Sequence, residues 1–226
     1  MIEIIGATRM QEKDFWAKSA LGLSLRRLSY DKRLVPTIFY ANTRGLPELF
    51  NSRITAPENR QILVFIHDDV WLDDYHLADR LIEGLNRYDL LGVAGNRRRA
   101  ESQPAWPFKD DQFTWDEREN LSGSVAHGEQ PFGTISYFGP VPAECELLDG
   151  VLLAARKSMF AEQKILFDPR FDFHFYDMDL CRAARAKGLR LGTWPVSITH
   201  QSSGAFNSPS WREAYEKYRN KWRSAI

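Results

Sequence analysis

The first half of the chain repeats a pattern in which a short apolar run precedes a segment with helical spacing. Ile2 to Ala7 is apolar, and Asp14 to Leu28 has the spacing of an amphipathic helix. Leu34 to Ala41 and Leu46 to Ile54 repeat this order, and Ile62 to Ile66 is a run typical of a strand covered on both faces. The alternation predicts an α/β fold with a mostly parallel, Rossmann-like central sheet flanked by helices, whose ligands lie at the carboxyl ends of the strands.

Regular patterns continue on both sides of an irregular middle region. A helix is predicted from Asp74 to Tyr88, and a fourth strand from Leu90 to Ala94. From Asn96 to Glu146 the helical period disappears, and glycine, proline and aromatic residues are spread among charges. We expect this region to be an irregular, antiparallel elaboration beside the site, because no linker separates it from its neighbours.

The last part of the chain returns to regular elements. Leu147 to Phe160 is typical of a strand turning into a helix. A further helix is predicted from near Asp177–Asp179 to Gly188, because glycine readily adopts the left-handed conformation that ends a helix. Leu189 to Thr199 is then predicted as a strand that ends at His200, and Ser210 to Ser224 as a helix.

Length and composition favour one ordinary globular domain. The chain has 226 residues, of which 43% are hydrophobic and 27% charged. We expect a nucleotide-binding half over residues 1–95, an acceptor and catalytic half over 96–205, and a C-terminal helix over 206–226. Thirty basic and thirty acidic residues cancel, which argues against nucleic acid as a partner. Two cysteines, no leader and no membrane span predict a cytoplasmic protein.

Two basic segments have alternative interpretations. The last predicted helix has an aromatic face formed by Trp211, Tyr215, Tyr218 and Trp222. This face packs the helix on the domain or, given the flanking basic residues, forms a peripheral contact with the inner face of a membrane. Arg97 to Arg99 are either a solvated turn or a grip for an acceptor phosphate.

Three sites with acidic or histidine side chains stand at the ends of predicted elements: Asp68–Asp69, Asp177–Asp179 and His200. A carboxylate pair after a buried strand can hold Mg²⁺ or Mn²⁺, and a histidine ligand suits Mn²⁺ better. Such an ion neutralises charge on a departing diphosphate, while a separate carboxylate takes a proton from the attacking hydroxyl. Asp177 is the candidate general base. The structural alternatives are turn residues, helix caps and a hydrogen-bonded strand end.

The order of these motifs resembles the family 2 glycosyltransferases with the GT-A fold, in particular a bacterial branch associated with capsule and other surface polysaccharides. The likeness covers roughly Ile2 to Ser203 and is weakest across Asn96 to Glu146. The motifs that carry it are ILVFIHDDVWLDD, LLDGVLLAARKSMF, FDFHFYDMDLCRAARAKGLRLG and a strand that ends in THQSSG.

The resemblance implies roles for the acidic motifs and the late histidine. In such enzymes an Asp-X-Asp motif binds the metal and the donor diphosphate, and His67-Asp68-Asp69 matches it with His67 in place of the first aspartate. Asp69 is therefore the main metal ligand, and Asp68 is a substitute ligand. The second acidic motif is matched by Tyr176 to Asp179, with Tyr176 in place of glutamate and Asp177 at the base position. His200 matches the family's metal or diphosphate contact.

The resemblance also implies donor and acceptor contacts. Thr8 and Asn42 fall where related enzymes contact the nucleoside, although Asn42 replaces a more usual acidic residue. Asp149, Gly150 and Asp179 are placed on the acceptor side. The implied partners are a nucleoside-diphosphate sugar, with UDP-sugars favoured, and a saccharide or lipid-linked acceptor. The implied reaction is a single displacement with inversion.

Other function classes are weighed against this interpretation. A catalytically silent nucleotide-sugar-binding module would keep the fold, and the changes at His67 and Tyr176 favour it. A metal-dependent phosphohydrolase could use His67 and Asp68, but Ile62 to Ile66 is strand-like where that class has a helix. A nucleotidyltransferase is disfavoured because the first predicted strand lacks a glycine-rich phosphate loop after it.

Overall fold

The computed structural model describes residues 1–101, 103–202 and 206–223. The predicted end of the last helix at Ser224 and the end of the THQSSG motif lie outside the described residues. The strands, in chain order, are β1 (Ile2–Ala7), β2 (Leu34–Phe39), β3 (Ile62–Ile66), β4 (Val70–Leu72), β5 (Leu90–Gly92), β6 (Ala94–Asn96), β7 (Leu121–His127), β8 (Thr134–Gly139), β9 (Ala143–Cys145), β10 (Leu147–Leu148), β11 (Leu152–Arg156), β12 (Leu191–Thr193) and β13 (Ile198–His200). The helices are α1 (Glu12–Lys18), α2 (Ala20–Arg27), α3 (Leu46–Ile54), α4 (Leu77–Leu85), α5 (Lys157–Gln163), α6 (Tyr176–Ala186) and α7 (Pro209–Trp222).

The larger of two sheets has the strand order β2-β1-β3-β11-β5-β12-β9. Strands β2, β1 and β3 are parallel neighbours, and so are β5 and β12. Strand β11 is antiparallel to both β3 and β5, and β9 is antiparallel to β12. Within the described residues, five of the seven strands therefore run in one direction. The predicted mostly parallel sheet is confirmed, with two antiparallel strands added to it.

The smaller sheet has the order β10-β6-β7-β13-β4, and β8 pairs with β7. Its strands β6, β7 and β8 are antiparallel neighbours, and most of it comes from the region predicted as an antiparallel elaboration. The chain passes directly from one sheet to the other at residues 67–69, 93, 140–142, 146, 149–151 and 194–197. These crossings place loop residues at the junction of the sheets, where side chains from both can meet.

The crossings show where two strand predictions were wrong. Leu90 to Ala94 is not one strand, because the chain leaves the larger sheet at Val93 and enters the smaller one. Leu189 to Thr199 is likewise divided between β12 and β13. Pro195 lies between those two strands, and its missing N–H cannot join a sheet ladder.

The prediction of one helix from Asp14 to Leu28 was also wrong, because this segment forms two helices, α1 and α2. Ser19 has extended backbone angles and ends α1, while its Oγ accepts the Gly22 N–H at 2.9 Å and so caps α2. Helix α3 and strands β1 and β3 have the predicted bounds. Sequence periodicity located these elements, but it did not reveal a serine cap inside a helical pattern.

The aromatic face of α7 is packed on the domain. Trp211, Tyr215 and Tyr218 are buried and belong to the same hydrophobic core as the sheets. Ser208 caps the helix by accepting the Trp211 N–H at 3.2 Å, and Pro209 occupies its first turn. None of the helices in the described residues has the length and apolar character needed to cross a bilayer.

Candidate active site

The candidate site lies at the junction of the sheets, where two crossing segments and the start of α6 meet. Residues 67–69 connect β3 to β4, and residues 149–151 connect β10 to β11. The His67 N–H donates to the Val151 carbonyl at 3.4 Å, which joins the two segments. The Gly150 N–H donates to Asp177 Oδ2 at 2.9 Å, which joins the second segment to α6. Three parts of the sequence that are far apart therefore share one small volume.

Two histidines and one aspartate form a cluster that could hold a metal ion. The candidate ligand atoms of His67, Asp69 and His200 lie within 4.8 Å of one another. The antiparallel pairing of β13 with β4 places His200 opposite Val70, which directly follows Asp69. As a result, Asp69 Oδ1 and His200 Nε2 are 3.2 Å apart. The sequence predicts Asp69 and His200 as metal ligands of a glycosyltransferase, while the third member of the cluster, His67, is predicted there only as a replacement for the first aspartate of the motif.

The Tyr176 hydroxyl fixes the orientation of the His67 ring. This hydroxyl donates its single hydrogen to the Gly150 carbonyl at 2.9 Å. It must therefore accept at its 3.0 Å contact with His67 Nε2, so that Nε2 carries a hydrogen and Nδ1 keeps a free lone pair. A histidine held in this way at one nitrogen is oriented to bind a metal through the other.

The space around Tyr176 also explains why residue 150 is a glycine. A Cβ at position 150 would lie 2.5 Å from the Tyr176 hydroxyl oxygen, which is too close for any larger residue unless the tyrosine moved. Glycine at this position therefore lets the tyrosine reach the backbone carbonyl and, through the same hydroxyl, His67.

The donor set and its electrostatics fit a divalent transition-metal ion. Burial lowers the pKa of His67, which favours the neutral imidazole that binds metals. Burial opposes ionisation of Asp69, but the hydrogen bond and the charge of His200, together with smaller contributions from Ser202 and His67, outweigh it and lower the pKa of Asp69 to about 2. Two imidazoles with one carboxylate suit Mn²⁺ better than Mg²⁺, which prefers oxygen ligands throughout. A proton on His200 and a cation are alternative partners for the Asp69 carboxylate.

Replacing Tyr176 by phenylalanine should weaken Mn²⁺ binding about tenfold or more, because the ring of His67 loses the hydroxyl that orients it. Electron paramagnetic resonance titration of Mn²⁺ measures this affinity. The matched control is Tyr40→Phe, which removes a hydroxyl that accepts the Trp16 indole N–H at 2.8 Å, away from the cluster. Equal Mn²⁺ dissociation constants for the two variants would refute the orienting role of Tyr176.

Asp177 has the electrostatic character of a general base. Its carboxylate accepts the backbone N–H groups of Gly150 and Met178 at 2.9 and 2.8 Å. Burial, together with the nearby Asp149 carboxylate, nevertheless raises the pKa of Asp177 to about 6. A carboxylate with a pKa near the working pH can take a proton from a hydroxyl more effectively than one with the ordinary value.

A cavity of about 280 Å³ opens in front of these groups. That volume is close to the lower end of the range of ~300–1,000 Å³ for small-molecule sites. Polar side chains reach it from the junction, namely His67, Asp149, Asp177 and His200, with His127 from β7. The cluster ligands His67 and His200 and the candidate base Asp177 thus face one common space.

Aromatic residues form most of the remaining cavity wall. Trp106, Phe108 and Trp115 come from the irregular middle region, and Trp211 comes from α7. The Trp106 indole N–H donates to Asp149 Oδ2 at 2.8 Å, which holds this wall against the junction. The cavity therefore combines a polar floor with broad apolar faces.

The predicted nucleoside contacts lie at the same sheet edge but outside the cavity lining. Thr8 follows β1, whose Ile5 pairs with Phe65 of β3, so that Thr8 and Asp68 are at neighbouring strand ends. The Asn42 N–H donates to the Thr8 carbonyl at 2.8 Å. Asp68 is outside the three-residue cluster, and the donor and metal roles predicted for Thr8, Asn42 and Asp68 stay predictions.

Asp179 lies in a different environment from Asp177. Its buried carboxylate is 2.7 Å from Lys221 Nζ and accepts the Trp222 indole N–H at 2.8 Å, so it holds the end of α7. It is not among the described residues that line the cavity. We therefore expect a structural role for Asp179 in place of the acceptor-side role that the sequence predicts.

Replacing Asp179 by asparagine should lower the free energy of unfolding by about 1 kcal/mol, since Lys221 loses one of its two carboxylate partners and keeps Asp168. Urea denaturation measures this change. The control is Glu213→Gln, which breaks an exposed pair with Lys217 on the same helix and should have little effect. An Asp179→Asn variant with normal stability and weakened acceptor binding would instead support the acceptor-side role.

No known protein family matches the chain, and no curated protein matches it. Many solved structures match the chain, all three of the following at low sequence identity. A structure of GalNAc-T7 with UDP, GalNAc and Mn²⁺ is 11% identical, with a TM-score of 0.48, over 99% of this chain and 48% of that one. The chain thus spans about half the length of that protein. A197 from STIV is 8% identical, with a TM-score of 0.47, over 92% of this chain and 97% of that one.

The catalytic domain of Drosophila β1,4-galactosyltransferase 7, in a complex with xylobiose, also resembles the chain in fold. It is 10% identical, with a TM-score of 0.52, over 95% of this chain and 79% of that one. At this identity the likeness defines the fold alone. The chain therefore has a mixed α/β fold of the GT-A glycosyltransferase type, as the sequence predicted.

Proposed function

We propose that the protein transfers a sugar from a nucleoside-diphosphate sugar, with UDP-sugars favoured, to an acceptor hydroxyl, with inversion at the transferred carbon. One observation carries the proposal: the ligands His67 and His200 and the candidate base Asp177 open onto the same cavity. Single displacement requires a stabilised leaving group on one side of the sugar and a base beside the nucleophile on the other.

On the donor side, Asp69 with His67 and His200 would hold Mn²⁺, and Mg²⁺ less well. When bound, the cation would act as a Lewis acid for the departing diphosphate. Thr8 and Asn42 would contact the nucleoside at the neighbouring strand ends, and Asp68 would contribute to donor binding. This assigns residues 1–95 mainly to the donor.

On the acceptor side, Asp177 would take the proton of the attacking hydroxyl. The aromatic wall offers flat faces that suit the apolar side of a sugar ring or the apolar part of a lipid-linked acceptor. Asp149 and Gly150 border this space, so we assign residues 96–205 to the acceptor and to catalysis, with 206–226 as a C-terminal helix. A role in surface polysaccharide or glycoconjugate synthesis, in the cytoplasm or at the inner face of a membrane, is part of the same proposal.

Two alternatives make different predictions. A silent nucleotide-sugar-binding module would bind the same donors without turnover, and the changes at His67 and Tyr176 favour it. A metal-dependent phosphohydrolase would use the same cluster to release phosphate from simple esters.

The test is incubation of the purified chain with a panel of sugar nucleotides, with Mn²⁺ or a chelator, and with saccharide and lipid-linked acceptors. We expect Mn²⁺-dependent release of a nucleoside diphosphate that increases with a suitable acceptor. Binding without release would support the silent module. Phosphate release from simple esters without use of sugar nucleotides would support the phosphohydrolase.

A further inference from the structure

A second, smaller cleft lies between α6, the end of α7 and the segment that follows β6. Its volume is about 60 Å³, against about 280 Å³ for the cavity at the candidate active site, and the described linings have no residue in common. Sites for whole small molecules are larger, about 300 Å³ or more. This cleft therefore suits one compact chemical group.

The cleft has an excess of positive charge. Its charged lining residues are four arginines and one glutamate: Arg99, Arg182, Arg219, Arg223 and Glu101. Among the described residues, no carboxylate lies at ion-pair distance from Arg99, Arg182 or Arg223, and Arg219 is 3.7 Å from Glu216. The positive charge of the lining is thus largely unneutralised by the described part of the chain.

The three consecutive arginines after β6 have separate surroundings. Arg98 pairs with the buried Asp116 and with Glu117, and Arg97 donates to the Glu119 carbonyl at 3.2 Å. Arg99 alone of the three lines the cleft. Of these three arginines, only Arg99 is therefore placed to contact a phosphate in the cleft.

Arg182 is buried, in contrast to the other arginines that line the cleft. It is 9% exposed, and its guanidinium carbon lies 4.3 Å from the ring centre of Trp222 and 5.6 Å from that of Tyr218. The nearest acidic residue one turn earlier on α6 is Asp179, whose carboxylate is already bound to Lys221 and Trp222. Aromatic rings thus hold the Arg182 guanidinium in place. The Asp179 carboxylate, which is nearby on the same helix, pairs with Lys221 instead of with Arg182.

Burying a cation without a counter-ion is costly, and aromatic contacts offset only part of that cost. Guanidinium groups present several N–H donors in a plane, an arrangement that matches the oxygens of phosphate. We propose that this cleft binds a phosphate group, as a phosphate monoester or diphosphate, with Arg182 as the preformed contact and Arg99 and Arg219 as flanking ones. The site is separate from the metal cluster, and the proposal does not depend on sugar transfer.

The competing interpretation is that Arg182 only packs α7 against α6, with Glu101 as a loose counter-charge. In that case the exposed Arg99 would contribute nothing to anion binding. Only the first interpretation predicts that inorganic phosphate binds to the folded chain in a way that depends on Arg99.

The test is isothermal titration of the full chain with inorganic phosphate and with pyrophosphate, in the absence of metal and nucleotide. We expect binding that weakens with added salt and that Arg99→Gln reduces about fivefold or more. The matched control is Lys217→Gln, which removes one positive charge from α7 outside the cleft and should change the affinity less than twofold. Because Arg99 is exposed, its replacement leaves the fold intact, and thermal melting verifies this.

Absence of phosphate and pyrophosphate binding to the wild-type chain, or equal loss in Arg99→Gln and Lys217→Gln, would overturn the proposal. Sedimentation with phosphatidylcholine vesicles, with and without phosphatidic acid, separates the sources of the phosphate. Arg99-dependent binding to the phosphatidic acid vesicles assigns a lipid headgroup. Binding of free phosphate without vesicle binding assigns a soluble phosphorylated ligand, and either result supports the site.

Discussion

Replacing Asp177 by asparagine should reduce sugar transfer about a thousandfold while donor binding stays close to the wild-type value. The variant keeps the size of the side chain but cannot take a proton from the acceptor. Transfer rates at saturating donor, together with titration of UDP in the presence of Mn²⁺, measure the two effects separately.

The control for this variant is Asp111→Asn, an exposed change that should leave both quantities unchanged. Because the new amide places an NH₂ group near backbone donors, the folding of Asp177→Asn should be verified by its circular dichroism spectrum. Near-normal turnover in a folded variant would eliminate Asp177 as the base.

The pH dependence follows from the same carboxylate. The active form is deprotonated, and the pKa of Asp177 is raised to about 6, so kcat/KM should fall as the pH drops below about 6 and level off above it. Since the Asp149 charge is one cause of the raised pKa, Asp149→Asn should move this acidic limb to lower pH. An unmoved limb would mean that another group controls it.

Replacing Asp69 by alanine should lower the Mn²⁺-dependent affinity for UDP about a hundredfold or more. The variant loses the only carboxylate of the cluster and the partner that His200 has at 3.2 Å. Titrations of UDP with Mn²⁺ and with a chelator measure the metal-dependent part of the affinity.

Asp14→Ala, which breaks an exposed pair with Lys18, is the matched control and should bind UDP normally. With a chelator present, wild type and Asp69→Ala should bind UDP equally weakly. Unchanged Mn²⁺-dependent affinity in Asp69→Ala would refute the placement of the cation at this cluster.

The regular part of the fold could be predicted because its signals are local. The apolar runs of β1 and β3 and the helical spacing of α3 gave the observed bounds. The division of Leu90 to Ala94 between two sheets could not be predicted in this way, because both pieces are extended and buried on either side of Val93. Only the pairing partners, which are distant in the chain, distinguish the two strands.

Part of the candidate site could also be predicted from local signals. Asp69 and His200 were identified from their positions at strand ends, and the pairing of β4 with β13 brings them together. His67 was missed as a ligand because its orientation depends on Tyr176, which is 109 positions away. The available signal was that both residues depart together from the motifs of the family that the sequence resembles, since a histidine ligand and a hydroxyl that orients it form a matched pair.

The roles of Asp177 and Asp179 could not be separated by sequence, because both stand in the first turn of α6. Helix geometry points them in different directions: Asp177 contacts Gly150, and Asp179 contacts Lys221 and Trp222. The partners of Asp179 lie on α7, 42 and 43 positions later in the chain, and only the folded chain brings them to it.

The central claim is that one junction holds a cation for the donor diphosphate beside the base that acts on the acceptor. Titration of the wild-type chain with Mn²⁺, followed by electron paramagnetic resonance with and without UDP, tests it most directly. We predict one Mn²⁺ per chain, bound more tightly with UDP, and an equal gain in UDP affinity with Mn²⁺, as thermodynamic linkage requires. A Mn²⁺ signal that the protein leaves unchanged, or UDP binding that is independent of the metal, would contradict the account.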